Sequence, residues 1–212
     1  MKRLFALLLT AMLAGLPFAV CAEVVDPDVL IKNTVKEVLD VVHQDKEIRE
    51  GNQKKILALV DAKVLPHFDF TRMTRLAVGR AWRTATPEQQ KILETEFRNL
   101  LVRTYTKAFT VYRDQNVEVK PFKMPSGATE VTVKTAIVQP GAQPIPVNYD
   151  MERTDDGWKV YDLTVEGVSL VNTHRGSFAE KVQQAGIDGL INSLVEMNKT
   201  AATAPVKKAE SK

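Results

Sequence analysis

The chain has 212 residues, of which 44% are apolar and 26% charged, with 29 Lys and Arg, 26 Asp and Glu, and a single cysteine. This length and apolar fraction suffice for one sizeable core, and they exclude collagen-like, disulfide-stapled and wholly disordered proteins. Because the two signs of charge nearly cancel, the chain lacks the basic excess typical of nucleic-acid binders, and no nucleic-acid partner is expected.

Residues 1–22 differ from the rest of the chain. Two basic residues precede a long apolar run without an acid, and small residues end at Ala22, where a signal peptidase would cut. We therefore predict a cleaved signal peptide over residues 1–22, since the run is short for a membrane anchor. A lipoprotein signal ending at Cys21 is a weaker alternative, because the residues before it fit that signal poorly.

The first half of the remaining chain is predicted to be helical. Asp26 and Pro27 begin a helix that runs to about Asp45, and apolar residues at helical spacing predict further helices up to Leu65 and over 70–78. The clearest helix begins at Thr86, where Thr-Pro-Glu-Gln supplies a cap, a first-turn proline and a capping-box glutamine. Bulky residues recur along one face of this helix, which is predicted to continue to Tyr112: Leu93, Phe97, Leu101, Tyr105, Phe109 and Tyr112.

The second half of the chain changes to a period of two. Four strands are predicted, near 117–119, 131–137, 145–151 and 158–165, and Pro- and Gly-containing turns between them favour antiparallel hairpins. One face of the sheet is apolar and is expected to meet the helices.

Helical spacing returns after Gly167, with a break at Gly186, and residues 200–212 are predicted to form a disordered tail. The fold class is therefore α+β, with a helical layer on an antiparallel sheet.

No common catalytic or metal-binding motif is present. The three histidines, His43, His67 and His174, lie on separate predicted elements, and the chain has neither a phosphate loop nor a nucleophile elbow. We expect no metal, no cofactor and no catalytic residue. One enzymatic alternative stays open, in which Asp150 or Asp162 lies in an apolar pocket that raises the pKa of its carboxyl group.

Several blocks follow one another along the chain: Val-Leu-Pro-His-Phe-Asp-Phe at 64–70, Gly-Arg-Ala-Trp-Arg at 79–83, Ala-Thr-Pro-Glu-Gln-Gln at 85–90, Phe97-Arg98 with Tyr105, Asp-Gly-Trp-Lys-Val-Tyr-Asp at 156–162, Val-Glu-Gly-Val-Ser-Leu at 165–170, and Gly-Ile-Asp-Gly-Leu at 186–190. In order and spacing these blocks resemble the MlaC family of periplasmic phospholipid carriers, also called toluene-tolerance auxiliary proteins. The resemblance covers nearly the whole chain after residue 22.

The resemblance implies a single lipid-binding domain over residues 23–199. Its fold would be a helical layer on a sheet of four to five antiparallel strands, related to cystatin and NTF2-like shapes and enclosing a deep apolar cavity. It implies a periplasmic protein that carries phospholipid between the outer and inner membranes without catalysis and so maintains outer-membrane lipid asymmetry. The implied partners are phospholipid, an inner-membrane ABC transporter with an MCE-domain protein, and an outer-membrane lipoprotein associated with porins.

In such a fold, the bulky stripe of the Thr86 helix and the facing strands are expected to form the cavity walls, with Val168 near its mouth. The candidate lipid-binding residues are Phe97, Leu101, Tyr105, Phe109, Val133, Val147, Tyr149, Leu163 and Val168. A Val168→Glu substitution is therefore expected to empty the cavity. A periplasmic chaperone or docking protein, with an exposed apolar groove instead of a cavity, is a further alternative.

The middle helices are also basic. Six arginines lie there, at positions 72, 75, 80, 83, 98 and 103. A solvated face is the favoured interpretation of this pattern, ahead of contact with a partner or with lipid phosphates.

Overall fold

The structure, a computed structural model, describes residues 24–106 and 115–203. The predicted signal peptide, Phe109 and most of the predicted tail lie outside these residues. The elements within them, in chain order, are α1 (Pro27–Gln44), α2 (Lys46–Arg49), α3 (Gln53–Lys63), α4 (Phe70–Val78), α5 (Pro87–Tyr105), β1 (Asn116–Val119), β2 (Glu130–Val138), β3 (Ile145–Thr154), β4 (Gly157–Val165), β5 (Val168–Ser169) and α6 (Leu170–Thr203), with 3₁₀ turns at Leu65–His67 and Gly79–Arg83.

The start of α5 is the capping box predicted from the sequence. The Thr86 hydroxyl accepts a hydrogen bond from the Gln89 backbone N–H at 3.2 Å, and the Thr86 N–H donates to the Gln89 side chain at 3.0 Å. These bonds satisfy donors that a helix start leaves without partners. The predicted continuation of this helix to Tyr112 lies outside the described residues.

The sheet is a five-stranded antiparallel meander in the order β1-β2-β3-β4-β5. The predicted four strands are present, and the two-residue strand β5, too short to give a period-two signal, pairs with the end of β4. The register between β3 and β4 shifts by one residue, since Asp150 pairs with Asp162 but Met151 pairs with Val160. Tyr161 is therefore the extra residue of a β-bulge.

Three apolar clusters hold the layers together. One joins α4, α5 and α6 around Met73, Phe97 and Phe178; a second packs α1 on the sheet, with Ile31 against Val133; a third joins α1, α2 and α3. The last helix changes direction at Gly186, whose φ of 69° and ψ of −172° are not helical. The expected α+β class is confirmed, with helices packed on one antiparallel sheet.

A charged cluster ties α4 to the sheet. The guanidinium of Arg72 pairs with Glu130 and Glu152, and it also lies 3.6 Å from the centre of the Tyr161 ring. The arginine lowers the pKa of Glu130, because it hydrogen-bonds the ionised carboxylate.

Candidate functional site

A cavity of about 360 Å³ lies between the helices and the sheet. Its volume falls in the range of roughly 300–1,000 Å³ that is typical of small-molecule sites. The lining residues come from α1, the α3–α4 region, the end of α5, the helix-facing side of β1–β4 and the first residue of α6. They are Ile31, Thr34, Val35, Val38, Leu39, Val42, Val60, Val64, Leu65, His67, Phe68, Phe70, Met73, Leu101, Val102, Tyr105, Thr106, Gln115, Val117, Ile137, Tyr149, Val160, Leu163, Val165 and Leu170.

The helical wall of the cavity is built mainly by one stripe of α1. Ile31, Val35, Val38 and Val42 follow one another at spacings of four, three and four, which places them on one face of the helix. The same stripe packs Ile31 against the sheet and Val38 against the cluster with α3. Helix α1 therefore borders the cavity and anchors it to two clusters at once.

The opposite wall is formed by alternate residues of neighbouring strands. The register places Tyr149 of β3 beside Leu163 of β4, and both side chains line the cavity. Because successive side chains of a strand point to opposite faces of the sheet, the residues on either side of Tyr149 and of Leu163 along their strands face away from the cavity. On that outer face, the Thr132 hydroxyl donates a hydrogen bond to Asp150 at 2.6 Å.

Burial shifts the pKa of three titratable side chains in the lining in the direction that favours their neutral forms. It raises the pKa of the Tyr105 hydroxyl and that of the Tyr149 hydroxyl, although a hydrogen bond with Thr135 opposes the shift of Tyr149. Burial, helped by the nearby Lys159, lowers the pKa of His67 against the weaker influence of Glu37. The described lining includes no Asp, Glu, Lys or Arg, so this surface carries no charge at neutral pH.

The two carboxylates of the enzymatic alternative do not line the cavity. Asp162 is buried, but its oxygens accept hydrogen bonds from the Leu163 N–H, the Val171 N–H and the Ser169 hydroxyl, at 2.8, 3.1 and 2.5 Å. Asp150 lies on the outer face of the sheet. The structure therefore gives Asp162 a structural position at the start of α6 and places neither acid where it would meet an apolar ligand.

The predicted site residues separate into two groups. Leu101, Tyr105, Tyr149 and Leu163 line the cavity together. Three others are buried without being part of the lining, and one lies at the surface: Phe97 in the helical core, Val133 beneath α1, Val147 in the sheet, and Val168 with 59% of its surface exposed. Phe109 lies outside the described residues. As contacts of a bound ligand, all nine remain predictions.

The position of Phe97 has a simple physical reason. Its ring packs edge-on against His174 and Phe178 of α6, with both pairs of ring centres 5.2 Å apart. The N-terminal part of α5 is covered by α6, so only its last turn, with Leu101 and Tyr105, reaches the cavity.

Sequence reasoning missed the contribution of α1 and of residues 64–68. The apolar face of α1 is plain in the sequence, but core packing explains such a face equally well. Only the three-dimensional arrangement shows that part of this face borders open space.

The described residues hold no cluster of three or more His, Cys, Asp or Glu side chains placed to bind a metal ion. Within residues 24–106 and 115–203, no helix combines the length and apolarity needed to cross a membrane.

The fold and the cavity define an α+β binding protein with an uncharged apolar site. The chain belongs to the MlaC family, because the family model described as "MlaC protein" matches residues 32–196. It is similar to the toluene tolerance protein ttg2D of Pseudomonas putida, with 25% identity over 94% of this chain and 95% of the relative. It is also similar to the intermembrane phospholipid transport system binding protein MlaC of Haemophilus influenzae, with 20% identity over 92% of each chain.

A solved structure has the same fold. It is a phospholipid-binding protein from Ralstonia solanacearum in complex with a phospholipid, and it matches with 37% identity and a TM-score of 0.79 over 84% of this chain and 100% of that one. The expected family membership is thereby confirmed.

Proposed function

We propose that this protein is a phospholipid carrier that holds acyl chains in the cavity and moves lipid between the outer and inner membranes. The observation that carries the proposal is the uncharged apolar lining between α1, α5 and the sheet. Membership of the MlaC family and the phospholipid complex of the Ralstonia solanacearum relative support the choice of ligand.

The energetics favour acyl chains as the bound part. Each methylene removed from water contributes about 0.8 kcal/mol, so that about ten of them contribute roughly 8 kcal/mol. A charged headgroup has no ionic partner within the described lining and is better accommodated in water. We therefore expect weak discrimination between headgroups and strong dependence on the acyl chains.

The wider setting follows the family. We propose that a signal peptide over residues 1–22 directs the chain to the periplasm, where it exchanges lipid with an inner-membrane ABC transporter that includes an MCE-domain protein. An outer-membrane lipoprotein associated with porins is the proposed partner on the other side. The proposed result is the maintenance of outer-membrane lipid asymmetry, without a catalysed reaction.

The test compares two valines that pair with each other across the β4–β5 turn. Val165 lines the cavity, whereas Val168 is exposed. Val165→Glu introduces a charge into an apolar wall, and we expect native mass spectrometry of the purified protein to show loss of most bound phospholipid. Val168→Glu makes the same change at an exposed position outside the described lining, so we replace the expectation from the sequence, that it empties the cavity, with the expectation that it keeps its lipid.

Circular dichroism and a urea unfolding curve establish that both variants are folded. A folded Val165→Glu protein with a full lipid load would contradict binding in this cavity. If organic extraction of the unaltered protein yields no phospholipid, the carrier proposal itself is wrong.

A further inference from the structure

Outside the cavity, the structure divides the arginines of the middle helices into two groups. Three have partners: Arg72 pairs with Glu130 and Glu152, Arg98 with Asp61, and Arg103 donates to the carbonyl of Asn198. The side chains of Arg75, Arg80 and Arg83 form no ion pair with any described residue.

The fold brings these three arginines together with a fourth. A second pocket, of about 290 Å³, is lined by Arg75 at the end of α4, Arg80 and Arg83 of the following 3₁₀ turn, and Arg175 of α6. None of its lining residues borders the apolar cavity. Three of the arginines noted in the sequence therefore lie in one concave site. Helix α6 adds Arg175, which is more than ninety positions after Arg83 in the chain.

Gly79 makes this convergence possible. Its φ of 67° and ψ of −130° form a turn that residues with a side chain adopt only under strain, and this turn separates Arg75 from Arg80. The Arg175 side chain lies close by, because a Cβ atom at position 79 would be 3.9 Å from its Nε atom.

The chemistry of the pocket indicates its ligand. Four positive charges in one pocket repel each other, and a bound anion would offset this repulsion. Each arginine also offers five N–H donors and no acceptor, so the oxygens of an anion can accept its hydrogen bonds. A carboxylate carries one negative charge, whereas a phosphate group carries up to two and has several oxygens that match the forked guanidinium. The lining also includes Leu76 and the buried Trp82, which add apolar surface beside the four arginines.

We propose that this arginine pocket binds a phosphate group. Free phosphate and the phosphodiester of a phospholipid headgroup both present oxygens that match the forked guanidinium; the diester carries one negative charge, whereas free phosphate carries up to two. The site is separate from the cavity, and the inference does not depend on the proposed function.

The two tryptophans of the chain allow a direct test. Trp82 lines the pocket, whereas Trp158 is buried in the cluster between α1 and the sheet. In a titration followed by NMR, we expect inorganic phosphate and glycerophosphoglycerol, a headgroup without acyl chains, to shift the indole N–H signal of Trp82 with saturation and to leave that of Trp158 in place. Tighter binding of glycerophosphoglycerol assigns the site to a lipid headgroup, and tighter binding of inorganic phosphate assigns it to the free ion; either result supports the proposal.

Matched variants establish which residues bind. Arg75→Gln with Arg83→Gln should weaken the titration about tenfold or more, because charge-assisted hydrogen bonds are lost. The control pair, Lys32→Gln with Arg49→Gln, removes the same charge from exposed positions outside the pocket and should bind as the unaltered protein does. Should the glutamine pair fail to fold, Arg75→Lys with Arg83→Lys keeps the charge but not the forked geometry, and it should also bind more weakly.

Three results would overturn the proposal: no saturable shift of Trp82 with either ligand, equal weakening in the control pair, or binding of an oligoglutamate peptide without binding of phosphate. Native mass spectrometry of the glutamine pair is expected to show an unchanged phospholipid load. Failure of the arginine pocket is therefore distinguishable from failure of the carrier proposal.

Discussion

Asp162 is a buried carboxylate that organises the junction of β4, β5 and α6. It accepts hydrogen bonds from two backbone N–H groups and the Ser169 hydroxyl, and the Ser169 Oγ in turn accepts one from the Asn172 N–H at 3.0 Å. The sequence marks this aspartate only as an acid between apolar residues, a pattern equally typical of a catalytic group. Its structural position becomes visible only when the end of β4 and the start of α6 are brought together.

We predict that Asp162→Ala destabilises the protein by about 1–3 kcal/mol, because it leaves buried backbone donors without an acceptor. Urea unfolding measures this change. The control is Asp150→Ala on the outer face of the sheet, which should change the free energy of unfolding by less than about 1 kcal/mol. Equal effects of the two substitutions would argue against the proposed position of Asp162.

His174 gives the stability of the protein a dependence on pH. The ring packs against both Phe97 and Phe178, and burial lowers its pKa below the usual value of 6.5. The unfolded chain therefore binds a proton more readily, so this contribution is complete above pH 6.5 and is lost as the pH falls below that value.

We predict that His174→Leu reduces the loss of unfolding free energy between about pH 7.5 and about pH 5.5, since the substitution removes one of the groups that titrate in this window. Urea unfolding of both proteins at the two pH values measures the difference. An unchanged pH dependence in the variant would show that the histidine titrates alike in the folded and unfolded chain.

At the scale of single elements, α5 shows where sequence prediction succeeds and where it stops. Its start follows from local chemistry, since Thr86, Pro87 and Gln89 determine the cap without help from the rest of the fold. Local chemistry does not show which residues of its apolar stripe belong to the core and which border the cavity, because Phe97 and Tyr105 repeat at the same helical spacing. Only the placement of α6 decides that Phe97 is core and that Tyr105 borders the cavity.

Two glycines allow a matched test of the turn after α4. Gly79 has a φ of 67°, whereas Gly176 lies in α6, where an added Cβ atom would meet no other atom within 4 Å. We predict that Gly79→Ala destabilises the protein by about 1–3 kcal/mol, because the turn strains any side chain. Gly176→Ala should stabilise it by about 0.5–1 kcal/mol, because alanine loses less entropy in a helix. Thermal unfolding followed by circular dichroism compares them, and destabilisation by both would contradict the conformational argument.

At the scale of the whole molecule, sequence periodicity predicts the class of fold, but the cavity could be predicted only through the resemblance to the MlaC family. Strand periods, turns and caps are local signals, and they predict the helices and the meander. A cavity is the absence of atoms between elements distant in sequence, so the same apolar residues are compatible with a filled core. Helix α1 illustrates this, because Ile31, Val38 and Val42 of its stripe belong to the packed clusters and also line the cavity.

The cavity also predicts a conflict between stability and lipid load. Leu163 lies in the strand wall, and Leu163→Phe places more side-chain volume in the open space. We expect the variant to carry less phospholipid and to gain up to about 1 kcal/mol of unfolding free energy when lipid-free, because apolar contacts replace a void. Native mass spectrometry and urea unfolding of delipidated protein measure the two effects. A full lipid load with lower stability would show that the side chain does not enter the cavity.

The position of α6 at the far end of the described chain has a consequence for folding. This helix supplies Phe178, Leu190 and Leu194 to the core that buries Leu93 and Phe97 of α5. A nascent chain that has not yet reached these residues therefore exposes the apolar side of α5, a condition that favours aggregation. The strands of the meander can pair one after another as they emerge, but the helical layer closes only when its last member arrives.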